Sequence, residues 1–209
     1  MQEEVFPRGA GLSPRQERRR QAARRLAMEG LRLMADRGIA GCSVADITAA
    51  AGVGKGTFFT HFPSKESFTA FLLEQQLAEL ARRVGPLGLG PVEPETLLAD
   101  LALAHLRFFQ RNPQAAALLQ QALALPSGGP ASPLVRARLR DYLAMLTAKL
   151  APAAQALGWP GERSAELALA LLSLGAGYAW LGQALGLGQD TPPELSERLG
   201  RALARGLAR

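Results

Sequence analysis

Helix start signals recur along this chain and restrict it to a helical architecture. Four of them pair a residue that favours the helix N-cap with a proline, which favours the first helical position: Ser13-Pro14, Asn112-Pro113, Ser132-Pro133 and Thr191-Pro192. Leu and Ala dominate, β-branched residues are few, and no segment alternates as a half-buried strand does. The sequence therefore predicts an all-α fold. We expect helices at about 14–37, 44–51, 55–62, 64–83, 95–111, 113–125, 133–157, 162–187 and 192–208.

The charge and residue content narrow the function classes. The formal net charge of +6 suggests an anionic partner. The single cysteine, Cys42, permits no disulfide within the chain, and we expect a structural role for it. Since the two histidines, His61 and His105, are far apart in sequence, we expect no metal site and no cofactor.

The sequence shows no pattern of a known catalytic or targeting type. It has no Ser/His/Asp or Cys/His set, no glycine-rich phosphate loop and no evident pair of carboxylates. We therefore expect neither enzyme activity nor a catalytic residue. Residues 1–12 lack the apolar core of a signal peptide, which favours a cytoplasmic protein.

Residues 43–62 have the spacing of a helix-turn-helix. Ser43 followed by Asp46 is a capping box that opens one short helix, and Gly52-Val53-Gly54 separates it from a second. Glycine suits the turn because it tolerates unusual backbone angles. Val53 is predicted to fill the angle between the helices, with Ile47 and Phe58 beneath it. In such a motif the second helix enters the major groove of DNA.

The outer face of the second short helix carries groups that suit DNA. Lys55, Thr57, Thr60 and His61 offer hydrogen bonds for base edges and phosphates, and Gly56 leaves room for close approach. Lys65 lies in the first turn of the next helix, where its charge opposes the helix dipole. An external phosphate is its predicted partner.

This region resembles the DNA-binding signature of the TetR (tetracycline-repressor-like) family. The resemblance is carried by Arg37-Gly38, by the stretch from Ser43 to Ile47, and by the ungapped run from Ala50 to Glu66, and it covers about residues 20–72. It implies an N-terminal arm and three-helix DNA-binding domain in residues 1–66, and a helical ligand-binding and dimerisation domain in residues 67–209. It also implies a set of DNA-contacting residues, of which Ser43 and Lys65 contact phosphate. The full set is Ser43, Lys55, Gly56, Thr57, Phe59, Thr60, His61 and Lys65.

Two positions depart from the family pattern and suggest fewer phosphate contacts. The family usually has Tyr at position 59, whose hydroxyl reaches a phosphate, whereas Phe59 has no hydroxyl. Gly54 stands where a residue with a capping side chain is common. Six arginines near the start of the first helix offer compensation or, alternatively, form a solvated helix face: Arg15, Arg18, Arg19, Arg20, Arg24 and Arg25.

The C-terminal half offers candidate ligand-binding residues. The resemblance implies a small, often apolar ligand in this half. His105 shares a helix face with apolar residues, so it is either a hydrogen-bonded core histidine or a ligand contact. Tyr142 and Met145 either line a pocket or are ordinary packing, and Tyr178 and Trp180 face either the pocket or the partner chain. The full candidate set is His105, Phe108, Tyr142, Met145, Tyr178 and Trp180. Arginines of this half, such as Arg107 and Arg140, suggest either an ordinary solvated surface or attraction of an anionic group.

Residues 167–189 contain no charged residue, and two explanations compete for them. Their length is within the range of a membrane span. Their many glycines also suit close helix packing in a soluble dimer. The family resemblance favours the dimer, formed through the last two helices at about 162–208, and we expect no membrane partner.

Together these features predict a ligand-responsive transcriptional repressor. The predicted repressor binds a pseudo-palindromic double-stranded operator as a homodimer and is released by a small apolar effector. The alternative is a DNA-binding regulator without a small-molecule effector.

Overall fold

The described part of the chain consists of helices and the turns and loops that connect them. The computed structural model describes residues 13–90, 92–124 and 132–186, together with residues 198, 201 and 202. Within these residues there is no strand, and the predicted all-α fold is confirmed. The helices are α1 Pro14–Arg37, α2 Val44–Ala50, α3 Lys55–His61, α4 Lys65–Val84, α5 Pro94–Arg111, α6 Pro113–Ala124, α7 Ser132–Ala156 and α8 Glu162–Ala184.

The described residues form two compact units. The first comprises the described residues up to Gln76 and those of 117–136, and the second comprises those of 77–116 and from 137 onwards. α4 is continuous across the first of these divisions. The predicted domain boundary between residues 66 and 67 stays a prediction. The last predicted helix, at about 192–208, lies outside the described residues except for three helical positions.

Local capping explains where α1 begins and ends. Ser13 Oγ accepts a hydrogen bond from the Gln16 backbone at 3.3 Å, and Gln16 Oε1 accepts one from the Ser13 backbone at 2.8 Å. This is the predicted capping box. At the other end Gly38 has a φ of 84°, a conformation that favours glycine, and its N–H bonds the Met34 carbonyl.

The core of the first unit is a cluster of phenylalanines. Phe68 packs against Phe58 and Phe62, with ring centroids 5.2 and 4.8 Å away, and Phe71 lies 5.1 Å from Phe62. Phe58 is fully buried, as is Ile47, and both burials agree with the sequence prediction. A Cβ atom at Gly30 would lie 2.4 Å from the Phe68 ring, so glycine lets α1 pack closely there.

The second unit is organised by the packing of α5 against α8. The buried stripe of α8 includes Leu167, Leu171 and Gly175, which recur at helical spacing. A Cβ atom at Gly175 would lie 2.9 Å from the His105 Cβ and 3.0 Å from its backbone carbon. The two helices therefore approach as closely as they do because residue 175 has no side chain.

His105 and Tyr142 form a buried hydrogen-bonded pair inside the second unit. The carbonyl of Leu101 lies 2.7 Å from His105 Nδ1 and can only accept, so Nδ1 carries the proton. Nε2 then accepts from the Tyr142 hydroxyl at 2.8 Å. His105 is completely buried, and burial lowers its pKa to about 4. The imidazole is thus a neutral, satisfied core histidine.

Protonation of His105 is expected to weaken folding in acid. Its pKa is about 4 in the folded protein and about 6.5 in an unfolded chain. Between these values the unfolded state binds more protons, so the stability that is present above pH 6.5 falls as the pH decreases. The full loss is worth about 3 kcal/mol. We expect urea unfolding to show this loss between about pH 6.5 and about pH 4.

The control is His105→Gln, which has no titrating group and keeps an acceptor for the Tyr142 hydroxyl. Carboxylates reduce the stability of both proteins in acid, so the informative quantity is the difference between the two unfolding free energies. An equal loss in both proteins would contradict the neutral state of His105.

Candidate nucleic-acid interface

The helix-turn-helix has the predicted arrangement. Ser43 caps α2, and Gly52 adopts a φ of 62° in the turn. Gly54 is the N-cap of α3 and supplies no side-chain hydrogen bond, as its sequence implies. α3 spans only seven residues, from Lys55 to His61, and its inner side is anchored by buried Phe58. The opposite side of α3 is therefore the side that can meet DNA.

The structure brings the predicted base-contacting residues together on this outer side of α3. Lys55, Gly56 and Thr60 are exposed, and Phe59 is 55% exposed. Thr57 and His61 are half-buried at the edges of the face. The face thus combines an ammonium, two threonine hydroxyls and an apolar ring, which are groups that contact base edges and thymine methyls.

The hydroxyl of Thr60 has a restricted hydrogen-bonding role. Its Oγ1 donates to the Gly56 carbonyl at 2.8 Å, so its one proton is already used. A phosphate oxygen can only accept, and this hydroxyl therefore has no proton for it. Adenine and cytosine present amino groups that donate, so they are the base partners that Thr60 can meet without rearrangement.

His61 is more enclosed than a freely exposed base contact. Its Nε2 is buried and has no hydrogen-bond partner among the described residues. Burial, and then the positive charge of Arg19, lower the pKa of the imidazole below its usual value, so it is neutral near pH 7. A base contact by His61 stays a prediction. Arg19 of α1 therefore lies close enough to His61, at the end of α3, for its charge to lower the pKa of the imidazole.

The two predicted phosphate contacts already have partners within the protein. The Ser43 hydroxyl donates to Asp46 Oδ2 at 2.6 Å and accepts from the Asp46 backbone at 3.1 Å. Lys65 Nζ donates to the carbonyls of Ile39 at 2.9 Å and Cys42 at 3.0 Å. The expected partner of Lys65 is an external phosphate, whereas the acceptors found within the protein are backbone carbonyls. Phosphate contacts by Ser43 and Lys65 stay predictions.

Cys42 lies in the turn between α1 and α2, and its carbonyl is one of the two that Lys65 bonds. Its side chain is fully buried, and burial raises the pKa of the thiol. A thiol that stays protonated is a poor nucleophile, which agrees with the structural role expected from the sequence.

The arginines of α1 supply much of the positive charge near α3. Arg15, Arg18, Arg19 and Arg25 are exposed, and Arg20 and Arg24 are half-buried. Glu17 is the one acid among them, and it lies 3.8 Å from Arg20. Since Ser43 and Lys65 use donors internally and Phe59 has none, exposed arginines of this cluster such as Arg19 are candidates for phosphate contacts.

The predicted ligand-binding residues do not form one group. His105, Phe108 and Tyr142 are buried in the second unit, and Met145 is half-buried there. Tyr178 and Trp180 instead lie exposed on α8. Among the described residues no cluster of three His, Cys, Asp or Glu side chains is arranged to hold a metal ion.

Replacing Arg19 with Ala is expected to reduce the salt dependence of DNA binding. Each phosphate neutralised by a protein cation contributes about 0.9 to the slope of log K against log salt. The measurement is a titration of duplex DNA at several salt concentrations, and we expect the slope to fall by about one. The control is Arg32→Ala on the same helix, because Arg32 is already paired with Glu29 at 2.9 Å and Asp36 at 3.5 Å. Equal slopes for both variants would contradict a phosphate contact by Arg19.

Comparison with known proteins agrees with this geometry. Residues 22–70 match the family model described as bacterial regulatory proteins, tetR family. The chain is 42% identical over 59 residues to the HTH-type transcriptional repressor DhaR of Mycobacterium sp. (strain GP1). That match covers 28% of this chain and 30% of DhaR, so it concerns only a part of either protein.

Solved structures extend the likeness to nearly the whole fold. The transcriptional regulator FadR from Bacillus subtilis, in complex with stearoyl-CoA, superposes with a TM-score of 0.73 at 16% identity, over 88% of this chain and 98% of that one. The fatty acid degradation regulator FadR from Bacillus halodurans gives a TM-score of 0.71 at 16% identity, over 95% and 98% of the two chains. At such low identity these likenesses show the fold. Residues 22–70 thus match the DNA-binding region of the tetR family of bacterial regulatory proteins, and most of the chain shares the fold of these solved regulators.

Proposed function

We propose that the chain is a ligand-responsive transcriptional repressor that binds a pseudo-palindromic operator as a homodimer. The observation that carries the proposal is the exposed polar face of α3 beside the arginine-rich end of α1. α3 is about 10 Å long at 1.5 Å per residue, which fits the major groove, about 12 Å wide. Its outer residues reach base edges, while the α1 arginines contact phosphates and fix the register.

The homodimer is supported by the outer face of α8. The buried stripe of this helix packs on α5, yet large apolar side chains remain exposed outside that stripe: Leu169, Tyr178, Trp180 and Leu181 in α8, and Leu185 just after it. Small residues between them, such as Ala170 and Gly177, permit close approach of another helix. Two copies related by a two-fold axis would cover this face and present two recognition helices to two half-sites.

A membrane is the competing explanation for this face. Among the described helices α8 is long and apolar enough, over Glu162–Gly182, to cross a membrane by length and composition alone. The core helix of a soluble protein satisfies the same criterion, and α8 buries one stripe against α5 as such a helix does. Recovery of the wild-type protein only with membranes would contradict the dimer proposal.

Leu181→Glu is expected to convert the dimer into a monomer. Leu181 is 50% exposed on α8, and a carboxylate placed in an apolar interface loses hydration without gaining a partner. Sedimentation velocity measures the mass, and operator affinity should fall by about a hundredfold, since one recognition helix replaces two. The control is Leu89→Glu, an exposed leucine outside the helices. A dimeric L181E protein would remove α8 from the proposed interface.

The effector is proposed to be a small, largely apolar molecule. The second unit has an apolar interior in which the described buried polar side chains include His105 and Ser164. FadR of Bacillus subtilis, which shares this fold, is in complex with stearoyl-CoA. A long acyl chain with an anionic end also suits the exposed arginines of α5, Arg107 and Arg111. An acyl-CoA is therefore the effector class to test first.

One observation favours a regulator without an effector. The His105 and Tyr142 side chains, two candidates for ligand contact, are buried and hydrogen-bonded to each other, with His105 Nδ1 bonded to Leu101. Both side chains therefore have hydrogen-bond partners within the protein. Under this alternative the DNA affinity is constant or depends on another protein.

Selection of bound genomic fragments by the purified protein tests the main proposal. We expect enrichment of one pseudo-palindrome, and its binding should weaken at least tenfold in a Thr57→Ala, His61→Ala variant because base contacts are lost. Addition of stearoyl-CoA to the operator complex then probes the effector class. Release of the DNA supports the ligand-responsive repressor, and retention of the DNA at saturating stearoyl-CoA counts against an acyl-CoA effector. Weak binding of all fragments alike would contradict sequence-specific recognition.

A further inference from the structure

The turn between α1 and α2 is held by two side chains that come from outside it. One is Lys65 of α4, whose ammonium bonds the carbonyls of Ile39 and Cys42. The other is Gln121 of α6, which is separated from Ile39 by 82 positions in sequence. Both lie in the first compact unit. Gln121 belongs to no motif in the sequence and to none of the predicted sites.

The amide of Gln121 takes the place of a hydrogen bond that α1 would make if it continued. In a continued helix the Ile39 N–H would donate to the Ala35 carbonyl, four residues earlier. The chain leaves the helix at Gly38, with a φ of 84°, and the two groups are not paired with each other. Gln121 Oε1 accepts from the Ile39 N–H at 2.9 Å, and Gln121 Nε2 donates to the Ala35 carbonyl at 3.5 Å. One side chain thus satisfies both groups.

This contact acts on the orientation of α1. The helix has 24 residues and is therefore about 36 Å long, with Gln121 at one end and the arginine cluster at the other. A tilt of about 5° at the Gln121 end would displace the far end by roughly 3 Å, given the helical rise. A charge-assisted hydrogen bond to a phosphate does not survive such a displacement.

We propose that Gln121 is a positioning residue for DNA binding, which caps the C-terminal end of α1 and thereby sets the arginines at its other end against the phosphates. The inference rests on the DNA binding proposed above. Gln121 does not touch DNA in this proposal. It acts through the Ile39 amide, the Ala35 carbonyl and the helix they terminate.

The test replaces Gln121 with Met, which has similar size and no charge but neither donates nor accepts as an amide does. The matched control is Gln120→Met, since the neighbouring Gln120 makes no side-chain hydrogen bond within the part of the chain described here. Far-UV circular dichroism and thermal unfolding establish that each variant is folded. Gln121→Glu is the second variant, because it keeps the acceptor for Ile39 and loses the donor for Ala35.

Two readouts separate positioning from general stability. Hydrogen exchange of the Ile39 amide in the free protein should be about tenfold faster in Q121M, intermediate in Q121E and unchanged in Q120M. The slope of log K against log salt for the selected operator should fall by about one in Q121M. This substitution changes no charge. A smaller slope of log K against log salt therefore means that arginines at the other end of α1 contact fewer phosphates.

The outcomes distinguish this inference from the proposed function. An unchanged Ile39 exchange rate in Q121M, or faster exchange with an unchanged slope, overturns the positioning role. A loss of affinity that follows the melting temperature of the variants, with the slope preserved, overturns it as well. If no operator is selected, the proposed function fails. The slope is then measured on a duplex of arbitrary sequence, where the comparison of Q121M with Q120M still decides whether Gln121 is a positioning residue.

Discussion

The orientation of α3 depends on the burial of two phenylalanines. A helix of seven residues is far too short to be stable alone, so α3 persists because tertiary packing holds it. Phe58 and Phe62 lie on its inner side and pack on Phe68 of α4, which in turn occupies the space left by Gly30 of α1. The direction in which Lys55 and Thr60 point follows from this packing. The specificity of the outer face is thus set by the apolar contacts of the inner one.

Several polar side chains of the first unit form hydrogen bonds within the protein. Ser43, Thr60, Lys65 and Gln121 each use donors on backbone or side-chain acceptors within the unit. These bonds stiffen the turn and the short helices, and a stiff surface loses less entropy on binding. They also leave fewer donors for phosphates. In the proposed function the arginines of α1 therefore take a larger share of the phosphate contacts.

Local signals in the sequence are sufficient to predict the helices, including the two of the helix-turn-helix. Capping boxes at Ser13 and Ser43, and glycines at the turns, act through neighbouring residues, so the helix boundaries could be predicted closely. Partners distant in sequence could not be predicted. The position of Lys65 indicates an external phosphate, whereas the acceptors found within the protein are the Ile39 and Cys42 carbonyls, and the residues around Gln121 contain no signal at all. For His105 the sequence leaves two interpretations open. Its hydrogen bonds to Leu101 and Tyr142 show a satisfied core histidine, and a ligand contact stays a prediction.

The buried position of Cys42 has a practical consequence. It is the one thiol in the chain, and it lies in the turn between α1 and α2, whose carbonyls accept hydrogen bonds from Lys65. A thiol reagent can reach it only when that turn opens, because the side chain has no exposed surface in the folded state. The rate at which the reagent labels the native protein therefore measures local opening of this turn in the first unit, and no cysteine has to be introduced for the measurement.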